Sequence, residues 1–477
     1  MCGICGIIQP VSDTPDTDAR VAEMTESLLH RGPDSAGFFS SAEVHMGMRR
    51  LSIIDIDHGT QPLYNEDRSL VLIANGEIYN YLELRKELTS KGHTFQTQSD
   101  CETILHTYEE YGRSFVDHLR GMFAFCLVDQ KAGRAFLVRD RLGEKPLYLH
   151  ATDEQVAFSS ELKSLIRTIP RSDRELDRDA IQLFFFYGYV PEPRTLIKGI
   201  TKLEPGHLLE IQFSPFQIQE HVYWNQRDIP PLKGEPLTPI RAQLEEIGDI
   251  LLRSDAPVGI SLSGGIDSSL IALLAKPHLE ERLHAFSVGY PGFPENDERR
   301  LAKDLATQLG LTYHDIEITE EEFLRDFDQL VYDMDDPVAD IAAYGYSRVA
   351  EEARTQGVKV LLAGFGGDEL FWGYGWVRES VRQNLLKQTF VGKLRLFLET
   401  LFSAERYHLI HHPWTALKRS IQKAWKKGYI FYELTPGFRR TAAEQSSIFT
   451  NAFLQSVDED LPWRLFRSYE SKEPWLE

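Results

Sequence analysis

Met1-Cys2-Gly3-Ile4-Cys5-Gly6 opens the chain, and the first half of the molecule is read outward from it. The small residue after Met1 suits methionine aminopeptidase, whose action leaves Cys2 carrying both a thiol and a free α-amine. An α-amine has a reference pKa of about 7.7–8.0, so near neutral pH an appreciable fraction can take the thiol proton. One residue then supplies nucleophile and base. A second stretch, Ser261-Leu262-Ser263-Gly264-Gly265-Ile266-Asp267-Ser268-Ser269, organises the other half.

The 477 residues suffice for two or three cores, and the two stretches divide them into two domains. A net charge of −20 argues against nucleic acid or an anionic membrane as a partner of the whole molecule. Cys2, Cys5, Cys101 and Cys126 are the only cysteines; no second pair stands at zinc-ligand spacing, so they predict no structural metal site. Four thiols fit a reducing compartment, with Cys5 and Cys126 buried as small hydrophobes. There is no signal peptide and no apolar run approaching the ~20 residues of a membrane span, so a cytoplasmic protein is expected.

From residue 2 to about 210 the chain reads as short strands and turns with a few helices. Val71–Ala74, Phe123–Val128 and Ala135–Val138 are compact apolar runs, and continuous apolar strands are usually buried on both faces, which favours stacked sheets covered by helices. Leu82, Arg85 and Leu88 predict a helix ending at Gly92. Cys2-Gly3-Ile4, His30-Arg31-Gly32-Pro33-Asp34, Arg50–Asp55, Gln61-Pro62, Asn75-Gly76-Glu77-Ile78-Tyr79-Asn80, Ser99-Asp100, Gly121–Phe125 and Arg139-Asp140-Arg141-Leu142-Gly143 follow in order. Together they resemble the class II glutamine amidotransferase domain, in the form found in glutamine-hydrolysing asparagine synthetases. The resemblance implies a layered αββα N-terminal-nucleophile hydrolase fold. It implies that Cys2 attacks the carboxamide of L-glutamine while the Asn75 side chain and Gly76 N–H receive the oxyanion. Arg50 suits the α-carboxylate of glutamine, and Glu77 and Asp100 its α-ammonium. Taken alone, Asn75-Gly76 is a turn dipeptide, Asp100 a helix cap and Arg50 a surface cation; their company and order give them the other meaning. His30, Cys5 and Cys101 are assigned to structure.

Asp228–Leu237 is Pro-rich and reads as an exposed linker, so a second domain over 235–477 is expected. Helix, strand, loop and helix then alternate. Val258–Leu262, Ala285–Gly289 and Val358–Ala363 are strands; Ile266–Lys276 and the turn-spaced Leu301, Leu305 and Leu309 mark helices, the last stopping at Gly310. Such alternation predicts an α/β domain with a parallel sheet and ligands beyond its carboxyl edge. Two glycines let the backbone at Ser263–Ser269 fold against an anion, the serines add hydroxyls, and a helix start adds N–H groups; no Lys follows as in a Walker loop. The loop resembles that of the ATP pyrophosphatase family, which adenylates a carboxylate or carbonyl and releases pyrophosphate. The resemblance implies ATP contacts at Leu262, Ser263, Gly264, Gly265, Asp267, Ser268, Val288, Ala363 and Gly364, with Mg²⁺ held by Asp267 and Asp368.

Two departures bear on the acceptor. Phe365 stands where these synthetases usually have the Glu tied to forming the β-aspartyl adenylate. The resemblance ends near residue 375, and no later Asp-Arg/Lys…Ser-Met…Glu-x-Arg-x-Pro block follows, so a synthetase domain incomplete at its C-terminus is expected. The leading expectation is an ATP-dependent, glutamine-hydrolysing amide synthetase with L-aspartate as acceptor and a homodimer as its assembly. The alternatives are another carboxylate, such as a sugar acid, or a glutaminase with a non-catalytic ATP-binding half. Lys418, Arg419, Lys423, Lys426 and Lys427 beside Trp414 and Trp425 form a basic segment that could rest on an anionic membrane, although charge runs are usually solvated faces.

Overall fold

The computed structural model describes residues 1–10, 16–278, 283–292, 294, 297–371, 373–402, 417, 421, 424–425, 449–458, 461 and 464. The basic segment's Trp414, Lys418, Arg419, Lys423, Lys426 and Lys427 lie outside these residues.

The first half stacks two antiparallel six-stranded sheets. One contains β1 (Gly3–Ile8), β2 (Ser35–Ser40), β3 (Val44–Arg50), β8 (Tyr148–Ala151), β9 (Val156–Ser159) and β10 (Thr201–Lys202), in the order β10-β8-β9-β1-β3-β2. The other contains β4 (Leu63–Tyr64), β5 (Leu70–Ile78), β6 (Gly121–Asp129), β7 (Arg134–Arg139), β11 (His207–Phe213) and β12 (Phe216–Val222), in the order β12-β11-β7-β6-β5-β4. Side chains of a strand alternate between faces, and the burial follows that period. On β1, Ile4 and Ile8 join the core between the sheets, with Val71 and Ile73 of β5 and Cys126 of β6. Cys5 and Ile7 instead meet Val21 and Met24 of α1 (Thr17–Glu26). On the far face, Leu72 and Phe125 pack on α2 (Tyr81–Ser90), α3 (Glu102–Tyr111) and the short α4 (Phe115–His118). These layers give the expected αββα order, and the continuous apolar strands are those buried on both sides.

α5 (Leu162–Leu165) and α6 (Arg178–Tyr187) precede an exposed segment over residues 225–239, where the Pro-rich linker was expected. After α7 (Leu237–Ile250) a four-stranded parallel sheet follows: β13 (Val258–Ser261), β14 (His284–Gly289), β15 (Thr312–Glu317) and β16 (Val360–Leu362), in the order β15-β14-β13-β16. α8 (Ile266–Ala275) and α9 (Arg299–Leu309) cover one face; α10 (Glu320–Met334) and α11 (Ala342–Thr355) cover the other. The α9 pattern needs a correction: its buried centre is Ala302 and Ala306, flanked by Leu305 and Leu309, whereas Leu301 is mostly exposed. Small alanines let the helix lie close to the sheet, so the leucine stripe marks one side of the buried face. Gly310, in the left-handed conformation (φ 67°), ends α9 as expected.

By internal contacts the chain divides into two compact units, Met1–Ala180 with Val190–Ala363, and Ile181–Tyr189 with Gly364 onward. The second unit holds α12 (Gly367–Phe371), α13 (Gly375–Lys387), α14 (Phe390–Phe402) and α15 (Asn451–Ser456). There the end of α6 meets the chain's last described helix: Phe185 packs edge-on against Phe449, and Gln182 Nε2 donates to the Asp458 carbonyl at 2.9 Å. Among the described residues no helix is long and apolar enough to cross a membrane.

Candidate active site

Cys2 lies two residues before Ile4, so the strand period turns it toward the space between the sheets, where it packs against that core. On the facing sheet, Asn75 and Glu77 continue the side of β5 begun by Val71 and Ile73, where the apolar residues give out. The two strands thus bring a thiol and polar side chains to one cleft. Met1, Cys2, Arg50, Leu51, Gln61, Asn75, Gly76, Glu77, Asp100, Cys101 and Lys145 are among its lining residues, so all six expected residues of the amidotransferase half share it.

Each group there is held. Arg31 Nε donates to the Cys2 carbonyl at 2.9 Å, and the Leu51 N–H points at Cys2 Sγ from 3.4 Å. Burial pushes the Cys2 thiol up, opposed by that N–H and by the Met1 amine, Arg50 and Arg31. Burial lowers the Met1 amine to about 6, so an amine in this position is largely unprotonated at neutral pH. Arg50, buried, gives its Nη atoms to the carbonyls of Ile54, Asp55 and Ile56 at 2.9, 2.8 and 3.2 Å. Among the described residues no carboxylate lies within 4 Å of its guanidinium, so an anion entering the cleft would meet a fixed cation.

Asn75 Nδ2 is buried without a hydrogen-bond partner. An orphaned donor of this kind is costly unless a ligand satisfies it. Gly76 contributes through its backbone. It faces Phe123 across β5 and β6, but Phe123 spends its N–H on Asp140 Oδ2 and its carbonyl on the Asp140 N–H. Gly76 and Phe123 therefore form a non-hydrogen-bonded pair, and the Gly76 N–H turns away from β6. On that side β4 reaches only Leu72 and Val71. Ile78, two residues on, points the same way and donates to Asp100 Oδ2 at 2.7 Å. A side chain at 76 would stand 2.2 Å from the Met122 carbonyl, which requires glycine.

Glu77 and Asp100 are adjacent buried carboxylates. Burial, then the Asp100 charge, raises Glu77 to about 7, and burial raises Asp100 as well. Such a pair favours an incoming cation, which would relieve both. Sequence reasoning missed Lys145, buried at the same cleft, its pKa lowered by burial and its Nζ 3.3 Å from Met1 Sδ. The signal lay two residues past the Arg139–Gly143 motif. Asp140 accepts the N–H groups of Leu142, Glu144 and Lys145 at 3.0 Å each, so this carboxylate shapes the loop presenting that lysine. His30 and Arg31 grip Glu161 and, against its burial, hold it at about 2. Cys5 is buried beside Thr25, its thiol pushed up to about 12. Burial and the Asp100 charge also push the Cys101 thiol well above its ordinary value.

In the parallel sheet β13 lies between β14, the next strand in the chain, and β16, which follows β15, so the strand order reverses at β13, the place where such sheets receive ligands beyond their carboxyl ends. The loop Leu262–Gly265 emerges there into α8, and Ala363 emerges beside it from β16. Ser263 Oγ and Ser268 Oγ are 3.0 Å apart, and Ser268 Oγ accepts the Ser263 N–H at 3.2 Å, so the loop is tied to the first turn of α8. Gly264 has φ 83°, and a Cβ there would lie 2.9 Å from Leu301 Cβ. Leu262 sits in the core with its N–H bonded to Phe286 and its carbonyl to Ser287 Oγ, so its polar backbone is spent within the sheet. Val288 is half-buried against the opposite core, and Asp267 is half-exposed on the first turn of α8. Gly364, Phe365 and Asp368 belong to the second unit; Phe365 is 69% exposed, and Asp368 lies on α12.

The description "Glutamine amidotransferase domain" matches residues 1–224, and "Asparagine synthase" matches residues 239–464, well past residue 375 where the motifs give out. Asparagine synthetase [glutamine-hydrolyzing] 1 of Bacillus subtilis is 40% identical over 386 residues, covering 80% of this chain and 60% of that protein. Asparagine synthetase [glutamine-hydrolyzing] 2 of Oryza sativa subsp. japonica is 35% identical over 386 residues, covering 78% and 60%. A Methanocaldococcus jannaschii protein, provisionally given the same name, is 33% identical over 426 residues, covering 84% and 80%. The chain thus spans about 60% of the length of the first two relatives. With that coverage of the archaeal protein, and with both halves matched in order, the chain belongs to the glutamine-hydrolysing asparagine synthetase family.

Proposed function

We propose that the chain is an ATP-consuming amide synthetase fed by glutamine hydrolysis, with residues 2–210 releasing ammonia and residues 235–477 activating an acid. The observation that carries the reading is the unpartnered Asn75 Nδ2 in the cleft that holds the Cys2 thiol. After Met1 is removed, the Cys2 amine takes the thiol proton and the thiolate attacks the glutamine carboxamide. Asn75 Nδ2 and the Gly76 N–H receive the oxyanion, the amine returns its proton to the leaving ammonia, and water cleaves the thioester. Arg50 holds the α-carboxylate, and Glu77 with Asp100 holds the α-ammonium.

In the second half Ser263, Gly264, Gly265 and Ser268 would cradle the pyrophosphate, and the region of Leu262, Val288, Ala363 and Gly364 would hold the nucleoside. Asp267 and Asp368 supply hard oxygen donors, and among the described residues neither has a cation within 4 Å, which suits Mg²⁺. Mg²⁺ there would neutralise phosphate charge as the acid attacks the α-phosphorus.

L-Aspartate is the acceptor to test first, since the relatives bear asparagine synthetase names. Phe365 favours a second reading, another carboxylate such as a sugar acid, because an exposed phenyl ring cannot steer a second charged group. Pyrophosphate release with glutamine, ATP and a panel of acids decides between them. Turnover with aspartate supports the first; turnover only with another acid supports the second. No turnover with any acid would leave a glutaminase joined to a non-catalytic half.

A further inference from the structure

On the helix-covered face of the amidotransferase sheets, far along the chain from Cys2, two histidines and two glutamates converge. Glu66 follows β4, His93 follows α2, and His106 and Glu109 share a face of α3, three residues apart. One atom from each lies within 4.8 Å of the others. His106 Nδ1 is 3.0 Å from Glu109 Oε2 and 3.8 Å from Glu66 Oε2, and His93 Nδ1 is 3.5 Å from Glu109 Oε2. Tetrahedral zinc with bonds of about 2.1 Å sets its ligand atoms roughly 3.4 Å apart, inside the observed range.

Three of the four atoms facing away from the centre are engaged, as they are around metal ligands. Glu66 Oε1 accepts the Thr94 N–H at 2.8 Å, and Glu109 Oε1 accepts from Asn65 Nδ2 at 2.8 Å. His93 Nε2 is 3.4 Å from Glu110 Oε2. His106 is fully buried, and its Nε2 has no hydrogen bond; the nearest acceptor, the buried Glu102, is 3.6 Å away. A carboxylate behind each imidazole is the arrangement that fixes a histidine with its other nitrogen on a metal. The Phe95 ring lies against the His106 ring at 4.4 Å and limits its rotation.

We propose that Glu66, His93, His106 and Glu109 form a zinc site that clasps α3 to the chain beyond β4 and α2. Imidazole and carboxylate donors in a four-coordinate set suit Zn²⁺ better than Mg²⁺ or Ca²⁺, which prefer oxygen alone. The role is structural: the three tied segments form the helix layer behind β5, and none of the four ligands lines the Cys2 cleft.

Metal-stripped full-length protein, titrated with Zn²⁺ and with Co²⁺, tests this. The wild type should take up one equivalent, raise its Tm by several degrees, and give the visible bands of four-coordinate cobalt without the near-ultraviolet band of a cobalt–thiolate bond. Glu66→Gln and His93→Ala, chosen because His106→Ala could fail to fold, should each lose the uptake and the Tm gain. Their metal-free Tm should match that of the metal-free wild type, and their glutaminase activity should stay within about twofold of it. Absence of stoichiometric uptake by the wild type at micromolar zinc would overturn the site, leaving His106 as an ion-pair partner of its carboxylates. Uptake that survives in either variant, or that shows a thiolate band, would place the metal elsewhere and overturn it equally.

Discussion

The Cys2 cleft, proposed for glutamine, and the Ser263–Ser269 loop, proposed for pyrophosphate, hold their groups in opposite ways. In the cleft, side chains do the work, and they are buried: Arg50, Asn75, Glu77 and Asp100 are each under 10% exposed. At the loop the backbone does it, and the side chains around it stay open, with Ile266 86% exposed. Covalent attack on an unactivated carboxamide needs donors and charges fixed before the substrate arrives. A pyrophosphate carries enough charge to be held by N–H groups and a helix start, so glycine conformation matters more there than burial.

Removing the nucleophile separates the two regions most sharply. Cys2→Ala should lower glutaminase and glutamine-dependent synthesis by about 10⁴-fold or more, while synthesis from free ammonia is unchanged. Parallel assays with each nitrogen source check it, and surviving glutaminase would refute the nucleophile. Intact mass bears on the same point. Met1 lines the cleft and its Sδ takes the Lys145 Nζ contact, so an active chain should lack it.

The converse cut falls at Gly264. Its φ of 83° and the 2.9 Å approach of a Cβ to Leu301 penalise any side chain. Strain of this kind costs about 1–3 kcal/mol, so Gly264→Ala should lower ATP-dependent synthesis roughly five- to a hundredfold and leave glutaminase intact. Equal loss of both activities would show that the loop supports the whole fold.

What the sequence disclosed follows the same contrast. β5, β6 and β7 were legible because strands buried on both faces carry unbroken apolar runs, and the turn from β13 into α8 because two glycines and a helix start crowd into seven residues. Lys145 was not legible: a lone lysine after a turn looks like any surface cation until Asp140 is seen to fold the loop inward. The Leu301 stripe misled slightly, since periodicity locates a helix face to within a residue or so and the alanines beside it make the contact. The residues around His106 carried no signal either, because they are scattered over three segments.

A carboxylate charged only at cost gives the cleft a pH signature. Glu77, at about 7 in the folded chain against 4.5 ordinarily, keeps a proton between those values that the unfolded chain has lost. Folding stability therefore falls as pH rises through that window, by on the order of 1–3 kcal/mol, and the loss is complete above about pH 7. Glu77→Gln should raise Tm at slightly alkaline pH and not at acid pH, while raising KM for glutamine about tenfold. In the wild type KM should climb as pH drops below about 7, and in the variant that climb should flatten. A variant melting like the wild type at every pH would contradict the burial argument.

The smallest expected effect arises where the two regions touch. Asp255, two residues before Pro257 and the start of β13, accepts the Asp55 N–H at 2.7 Å, and its own N–H donates to the Ile53 carbonyl at 3.0 Å. Asp55 is held at φ 51°, an uncommon value for a residue with a side chain, and its carbonyl is one of three that grip Arg50. The Asp255 carboxylate thus braces the turn that aims the proposed carboxylate-binding cation, from the same segment that leads into the phosphate loop. One hydrogen bond to a charged group contributes about 1.5–3 kcal/mol, but the backbone contact to Ile53 remains in Asp255→Ala and part of the turn's order with it. KM for glutamine should therefore rise only about two- to tenfold, with kcat nearly unchanged, because in the proposed reading Arg50 binds the α-carboxylate and does not touch the scissile amide. A fall in kcat at constant KM would mean that the brace acts on Cys2 through Leu51, whose N–H is aimed at the thiol, and the division between a rigid cleft and an independent loop would have to be redrawn.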